Sequence, residues 1–153
     1  MVEINIQGVE KLGESFSDSK SIIERHLQGG IRRSAFNFER LMKREAPVDT
    51  GGLRQSVTHE LKQLTAEIAP NKRYAVFVEM GTKPHGMPVG SNPQFQQWAR
   101  RKGLNPYAVA KSISQKGTKA NQFISRSFNK GLPIAQNQLD TAIDNALKEI
   151  LQV

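Results

Sequence analysis

The sequence predicts an α+β fold in which a long N-terminal helix packs on a small antiparallel β-meander. Apolar residues recur every three or four positions from about Lys20 to Glu45, which is the period of an amphipathic helix. After Pro47 the period changes to two in three short stretches that polar turns separate. A second helical pattern closes the chain from about Pro133 to Leu151. Because one helix covers only one face of a small sheet, the other face or the free edge is left for a neighbour.

The N-terminal region combines a short strand pattern with the long helix. Val2, Ile4 and Ile6 alternate with polar residues, which predicts a half-buried strand at the edge of the sheet. In the helix that follows, the pair Gly29-Gly30 lowers the helix propensity, so we expect a bend or a break there.

The helical pattern ends at a turn that runs from Ala46 to Arg54. Pro47 cannot continue a helix, and it disfavours helical geometry at the residue before it. We expect Asp49 to cap backbone N–H groups, and Gly51 or Gly52 to take a positive φ. Aspartic proteases also present a catalytic Asp-Thr-Gly on a tight turn, but there an apolar strand delivers the carboxylate, whereas here a helix does. A structural turn is therefore the preferred interpretation.

Three stretches after the turn have the alternation typical of strands, namely Gln55 to Leu61, Leu64 to Ala69 and Tyr74 to Met80. As a strand, the third stretch would place its odd-numbered and even-numbered residues on opposite faces, and both faces would carry apolar groups. The sequence therefore predicts a three-stranded meander.

The composition changes after Thr82. Residues 83–93 contain three prolines and two glycines, which predict a long exposed loop. A short helix containing Phe95 and Trp98 is expected to end at Gly103. A second short helix should open at Pro106 and end near residue 117.

The charge of the chain is concentrated in this later part. The net charge is +8, and residues 83–130 hold nine basic and no acidic side chains, against 13 basic and 14 acidic in the remainder. This asymmetry predicts a contact surface for an anionic partner, either DNA or an acidic protein surface. The aromatic residues beside the charges favour a packed protein interface. The predicted surface consists of Lys83, Phe95, Trp98, Arg100, Arg101, Lys102, Lys116 and Lys119.

Few residues suggest catalysis or metal binding. The chain has no cysteine, which excludes disulfides and thiolate metal sites. His26, His59 and His85 lie on different predicted elements without the spacing of metal ligands, so we expect no metal or cofactor. The Gly-Thr-Lys run that begins at Gly117 lacks the upstream glycine of a phosphate-binding loop and reads as a helix end. No signal segment and no apolar run of about 20 residues is present, so neither secretion nor a membrane span is predicted.

Two motifs at a characteristic spacing connect these features to a known family. A Pro-x-Asp-Thr-Gly-x-Leu-Arg turn is followed by Tyr-Ala-x-x-Val-Glu-x-Gly-Thr, with Ile4-x-Ile6-x-Gly8 before them and Lys-Gly-Thr-Lys-Ala before Phe123 after them. This arrangement resembles the head–tail joining proteins of tailed bacteriophages, which are also called neck, tail-completion or minor tail proteins. In that family a proline usually precedes the last Phe, and Gln122 stands there in this chain. The motif residues are Pro47, Asp49, Thr50, Gly51, Leu53, Arg54, Tyr74, Glu79, Gly81 and Thr82.

The resemblance implies a structural virion protein of a phage or prophage, not an enzyme, built as one domain over residues 1–153. Its core would comprise residues 1–82 and 131–153, with a basic helical insertion at 83–130. The implied partners are further copies in a ring, head connector or completion proteins, and tail terminator or tube proteins, with DNA in the channel as another contact and no membrane. The implied location is the neck or tail of the virion, after assembly in the host bacterial cytoplasm. We also expect Arg54 and Glu79 to serve architecture or subunit contact.

An alternative interpretation is a small basic nucleic-acid-binding protein. It explains the positive charge, and a platform of Trp98 beside Arg100, Arg101 and Lys102 would suit it. It does not explain the paired turn and strand motifs.

Overall fold

A computed structural model describes the backbone of residues 9–151 and the side chains of residues 18–151. It confirms the predicted mixed class, with a long N-terminal helix, an antiparallel sheet and a C-terminal helix. The predicted strand over Val2, Ile4 and Ile6 lies outside the described residues. In chain order the elements are α1 (Val9–Glu45), α2 (Gly52–Gln55), β1 (Val57–Lys62), β2 (Thr65–Pro70), α3 (Ala75–Met80), α4 (Pro93–Arg101), α5 (Pro106–Lys116) and α6 (Phe123–Leu151).

Helices α1 and α6 form an antiparallel pair that is the frame of the fold. Near the end of α6, Glu149 accepts hydrogen bonds from Arg25 and from His26, the latter at 2.8 Å. At the other end of the pair, Glu45 of α1 accepts from Arg126 at 3.1 Å and from Lys130 at 2.7 Å. Paired contacts at both ends fix the register of the two helices.

Glycines allow the two helices to approach each other closely. A Cβ on Gly30 would lie 3.1 Å from the Cβ of Ala142, and a Cβ on Gly131 would lie 2.3 Å from the ring of Phe38. α1 continues through Gly29 and Gly30, so no break occurs where the sequence suggested a bend or break. Close packing on α6 explains why a residue of low helix propensity is tolerated there.

Strands β1 and β2 form a two-stranded antiparallel hairpin that packs on α1. Its register pairs Val57 with Pro70 at the open end and Lys62 with Thr65 at the turn. Val57 is fully buried, and Ile68 packs against the core from the neighbouring strand. Since a two-stranded hairpin has little stability alone, it depends on the helix beneath it.

The predicted third strand, Tyr74 to Met80, is wrong, because residues 75–80 form helix α3. In a strand, Ala75 and Val78 would point to opposite faces, whereas three residues apart on a helix they share one face. That face packs on the core: Ala75 is buried in it, and Val78 lies against it. Tertiary packing therefore overrides the β-propensity of this stretch, which contains Val76, Phe77 and Val78.

The two helices after Thr82 are confirmed, and the predicted start of the last helix is wrong. The side chain of Asn92 caps α4, the side chain of Asn105 caps α5, and Gly117 ends α5 with a φ of 73°. α6 begins ten residues before Pro133, which lies inside the helix instead of opening it. The residue that caps this earlier start is distant in the sequence. The local pattern around the start of α6 therefore does not reveal it.

The core lies where the end of α1, the turn, the start of β1, α3 and the start of α6 meet. It is formed by Met42, Ala46, Leu53, Val57, Ala75 and Phe123. Both family motifs therefore contribute residues to the core, through Leu53 and Ala75.

Candidate assembly surface

The turn after α1 is anchored in the core by Leu53 and redirected by a glycine. The N–H of Ala46 donates to the carbonyl of Met42 at 2.9 Å, which closes the last turn of α1. Gly51 has a φ of 85°, which confirms the predicted positive φ at this pair of glycines. Leu53 on α2 is buried. The turn is thus anchored in the core through Leu53, whereas residues 47–50 are exposed to solvent.

Asp49 does not cap backbone N–H groups of the turn, contrary to the prediction, and instead contacts the basic insertion. Its carboxylate accepts hydrogen bonds from Nε of Arg101 at 3.0 Å and from Nη2 at 2.5 Å. These hydrogen bonds, together with the charges of Arg101 and Lys102, outweigh desolvation and lower the pKa of Asp49. A carboxylate bound in this way is occupied by a cation, which favours the structural interpretation of the Asp-Thr-Gly motif.

Trp98 brings the insertion and the family turn into one groove. Its ring stacks on Phe95, with the centroids 5.7 Å apart and the planes 21° apart. Trp98 also lines a groove of about 470 Å³, together with residues 47–53, Tyr74, Val78 and Lys102. We call this space the turn groove. It unites most of the predicted motif residues with two residues of the predicted partner surface.

A bridge between two Gly-Thr pairs closes the base of the insertion. The backbones of Thr82 and Thr118 exchange hydrogen bonds of 3.1 and 3.2 Å, and their hydroxyl oxygens lie 3.0 Å apart. Gly81 has a φ of 74°, and a Cβ there would lie 2.4 Å from the carbonyl oxygen of Thr118. The bridge requires a residue without a side chain at this position. Sequence reasoning singled out both segments but did not pair them.

Glu79 caps the N-terminus of α6. Its carboxylate accepts the backbone N–H of Ile124 at 2.7 Å and that of Ser125 at 2.9 Å, and also the hydroxyl of Ser125 at 2.6 Å. Burial alone would raise the pKa of Glu79, but these hydrogen bonds and the charge of Arg126 lower it overall. An anion at the positive end of a helix dipole is favourable, so this contact accounts for the early start of α6.

Intrachain carboxylates bind three of the nine basic residues in 83–130. Asp49 binds Arg101, and Glu45 binds both Arg126 and Lys130. The other six are exposed and have no ion pair within the described part of the chain: Lys83, Arg100, Lys102, Lys111, Lys116 and Lys119. Arg54, on α2, is likewise exposed, and residues 18–151 offer it no ion pair. These cations remain available to a partner.

Helix α3 presents an apolar face that sequence reasoning missed. Val76, Phe77 and Met80 are 58%, 60% and 74% exposed, while Ala75 on the same helix is buried. The prediction of a strand did not separate a buried face from an exposed apolar face, because a strand places these residues on two opposite faces. The signal was the spacing of Val76 and Met80, which is four residues and fits one side of a helix.

The histidines do not form a metal site within residues 18–151. His26 contacts Glu149, and His59 contacts Glu39. No group of three or more His, Cys, Asp or Glu side chains suited to a metal occurs among the described residues. In the same part of the chain, none of the helices combines the length and apolar character that crossing a membrane requires.

Comparison with known proteins relates part of this chain to a protein family. Residues 9–81 match the family model described as Bacteriophage HK97-gp10, putative tail-component. The chain is similar to a phage tail-component family. The resemblance to phage head–tail and tail proteins is thereby confirmed. No curated protein and no solved structure gave a significant match.

The match to the HK97-gp10 family indicates a structural component of the phage virion that interacts with other phage structural proteins. The matched region contains α1, the turn, the hairpin and α3, and it ends at Gly81. The basic insertion, whose last residues belong to α6, and the rest of α6 lie outside it. The family match therefore says nothing about the role of the insertion, which has to be inferred from the insertion's own residues.

Proposed function

We propose that this protein acts in head–tail joining or tail completion, at the neck or the tail end of a phage or prophage particle. It would assemble there as a ring, and it would act through protein–protein contacts and not as an enzyme. Its residues would form a single domain, in which the Thr82–Thr118 bridge marks the base of the basic insertion. The predicted partners are other copies of the chain, the head connector or completion proteins, and the tail terminator or tube proteins.

The observation that carries this proposal is the turn groove. Family turn residues line it on one side and the insertion lines it on the other, through Trp98 and Lys102. The Asp49–Arg101 ion pair ties the two sides together. A groove with an aromatic wall and exposed cations nearby suits a protein partner, because buried aromatic anchors carry most of the binding energy at interfaces.

The apolar face of α3 supports the same proposal independently. Phe77 and Met80 are more than half exposed, and they lie next to Glu79 and Gly81 of the second family motif. Exposed apolar groups near one another commonly mark protein contacts. A ring subunit needs at least two such surfaces, one for each neighbour.

The basic insertion favours a protein partner over DNA. Three of its nine cations are bound by intrachain carboxylates, which leaves fewer for phosphate groups. A nucleic-acid-binding protein remains the second candidate function, and it rests on the six exposed cations. Binding through phosphates would weaken with salt, with a log–log slope of roughly −0.9 per neutralised phosphate, whereas an aromatic-anchored interface would depend on salt far less.

Substitution of Arg100, Arg101 and Lys102 by Gln tests the proposal. We expect the purified triple variant to remain folded, and a phage that carries it to accumulate heads and tails separately. A matched control replaces Lys111 by Gln, since this exposed cation lies on α5 and does not line the groove. Joined, infectious particles at normal yield from the triple variant would contradict a joining role for this surface. Tight, steeply salt-dependent binding of the isolated chain to short duplex DNA would favour the second candidate.

A further inference from the structure

Four arginines lie together on one side of α1. Positions 32, 36, 40 and 44 follow one another every four residues, a spacing that places their side chains along one ridge of a helix. Three of these positions are arginines, the other is Phe36, and a further arginine stands at position 33. At 1.5 Å per residue the ridge is about 18 Å long. We call this set the arginine ridge, and it consists of Arg32, Arg33, Phe36, Arg40 and Arg44.

The arginine ridge is on the outer side of α1. Its five residues are all exposed, and Phe36 is 59% exposed. The residues of the same segment that point into the molecule are buried, namely Ser34, Ala35, Leu41 and Met42. Neither α6 nor the hairpin therefore covers this side of the helix.

The neighbouring elements contribute no negative charge where they border the ridge. His59 of β1 and Gln138 of α6 line an open depression of about 520 Å³, together with residues 32, 33, 36 and 37 of α1. None of the described residues that line this depression carries a carboxylate.

The four guanidinium groups of the ridge have no partner in the described part of the chain. No ion pair or side-chain hydrogen bond involves them within residues 18–151. The two acidic residues closest to the ridge in the sequence bind other cations. Glu39 accepts hydrogen bonds from Lys43 and His59. Glu45 accepts hydrogen bonds from two basic residues of α6. These carboxylates therefore do not neutralise the ridge.

The overall charge balance of the chain does not reveal this surface. Outside residues 83–130 the sequence has 13 basic and 14 acidic side chains, which is close to neutral. Residues 31–44 nevertheless contain five basic residues and one acidic residue. The arginine ridge is thus a second positive surface, separate from the basic insertion.

The chemistry of the ridge fits phosphate groups better than a protein surface. A guanidinium group donates two parallel hydrogen bonds to the oxygens of a phosphate. The core of a protein interface is mostly apolar, whereas the ridge has four cations and one apolar side chain, Phe36. Proteins that bind single strands use several aromatic side chains on which bases stack, so a ridge with one aromatic residue suits a duplex better.

We infer that the arginine ridge contacts the phosphate backbone of duplex DNA. Duplex DNA carries one negative charge per roughly 1.7 Å of its axis, so a ridge of about 18 Å meets several phosphates at once. The inference does not rest on the proposed function, because the ridge and the turn groove share no residue. One surface would contact DNA while the other contacts proteins. The Kd should be about 10⁻⁴ to 10⁻⁶ M at physiological salt, which is typical of non-specific binding and weaker than the second candidate function requires.

Fluorescence anisotropy of a labelled short duplex, titrated with the full chain over a series of salt concentrations, tests the contact. The log–log slope should be roughly −3.6 if each of the four arginines neutralises one phosphate. Arg40→Gln with Arg44→Gln should weaken binding at low salt by at least about tenfold and reduce the magnitude of the slope by roughly 1.8. Its melting temperature should stay near that of the parent, because both side chains are exposed and have no ion pair within residues 18–151. Arg40→Lys with Arg44→Lys keeps the charges and should retain most of the slope.

The matched control is Arg100→Gln with Lys102→Gln, which removes the same charge from the basic insertion. Both residues are exposed and have no ion pair within the described residues. This control should leave the affinity within about twofold of the parent, since distant charges are screened by salt. If it weakens binding as much as the ridge variant does, the ridge is not the DNA contact, and the result favours the second candidate function.

Two further results would overturn the inference. One is the absence of binding to the duplex even at low salt. The other is failure of particle assembly with the ridge variant while the parent chain does not bind DNA, which would indicate an acidic protein as the partner of the ridge. If the protein lies at the neck or tail end but does not bind the duplex, this inference alone is wrong. If the chain binds the duplex through the ridge but is absent from particles, the inference stands and the proposed function is wrong.

Discussion

Arg101 donates two hydrogen bonds to the carboxylate of Asp49, across 52 positions of the sequence. One residue belongs to the turn that the family match covers, and the other belongs to the insertion outside it. Together with the Thr82–Thr118 bridge at the base of the insertion, this charged contact at the edge of the turn groove ties the insertion to the core.

The first prediction follows from this ion pair. Arg101→Gln should loosen the insertion and increase the rate of proteolysis within residues 83–117 a few-fold, because the insertion loses a tether near its outer end. Added salt should reduce the difference between the parent and the variant, since exposed ion pairs are screened. Arg100→Gln is the matched control, because Arg100 is exposed and has no ion pair within residues 18–151. Equal cleavage rates for the two variants would contradict the role of the pair.

A second prediction concerns the glycines of the two family motifs. Gly81→Val should lower the free energy of unfolding by at least about 1 to 3 kcal/mol, because the position has a positive φ and a side chain there would also collide with Thr118. Gly51→Val should cost less, because the nearest atom to its Cβ would be a side-chain nitrogen 3.6 Å away, so only the backbone strain applies. Thermal unfolding measures both. Gly86→Val is the control, since nothing lies within 4 Å of a Cβ there.

A third prediction concerns the cap of α6. Glu79→Gln should destabilise the chain by about 1 to 2 kcal/mol, because a neutral amide interacts less well with the helix terminus and the hydroxyl of Ser125. Chemical denaturation is the measurement, and Glu60→Gln, at an exposed position on β1, is the control. If Glu79→Gln changed neither stability nor particle assembly, the predicted architectural role of Glu79 would be wrong.

A fourth prediction is loss of stability in acid. Hydrogen bonds from Lys43 and His59 lower the pKa of Glu39, and hydrogen bonds from His26 and Arg25 lower that of Glu149. The folded pKa values of these carboxyls lie below the unfolded ones, so the unfolded chain binds more protons as the pH falls. Their contribution is complete above the unfolded value, near pH 4.5, and is lost as the pH falls through the folded pKa values. The melting temperature should therefore fall steeply below about pH 4.5, and a flat profile from pH 6 to pH 3 would contradict this account.

The fifth prediction distinguishes this chain from the usual family pattern before the last Phe. Gln122 has a φ of 57°, a value that the ring of proline cannot adopt. Gln122→Pro should therefore displace the start of α6 and lower the melting temperature, whereas Gln122→Gly should be neutral or slightly stabilising. Circular dichroism melting curves of the two variants test this. Equal stability of the proline variant and the parent would show that the local chain path can change without cost.

The sequence predicted the elements whose signals are local. The long helix, the hairpin and the ends of α4 and α5 follow from periodicity, turn residues and caps, and Gly51 has the positive φ that the turn motif suggested. These features depend on residues a few positions apart, so one sequence contains the information.

The elements that the sequence did not predict depend on distant partners. Residues 75–80 form a helix because Ala75 and Val78 pack together on a core that other segments supply. α6 starts early because Glu79, more than forty positions away, caps it. For the candidate site, composition indicated the basic segment and the motifs indicated the turn. Their meeting in one groove depends on the Asp49–Arg101 pair and the Thr82–Thr118 bridge, whose long sequence separations leave no local pattern.

The most direct test of the central claim is to locate the protein in purified phage particles by cryo-electron microscopy, with antibody labelling of the chain as a second marker. The proposed function predicts a ring of copies at the neck or at the tail end, with the turn groove and the insertion facing neighbouring proteins. Absence of the protein from finished particles whose heads and tails are joined would contradict it.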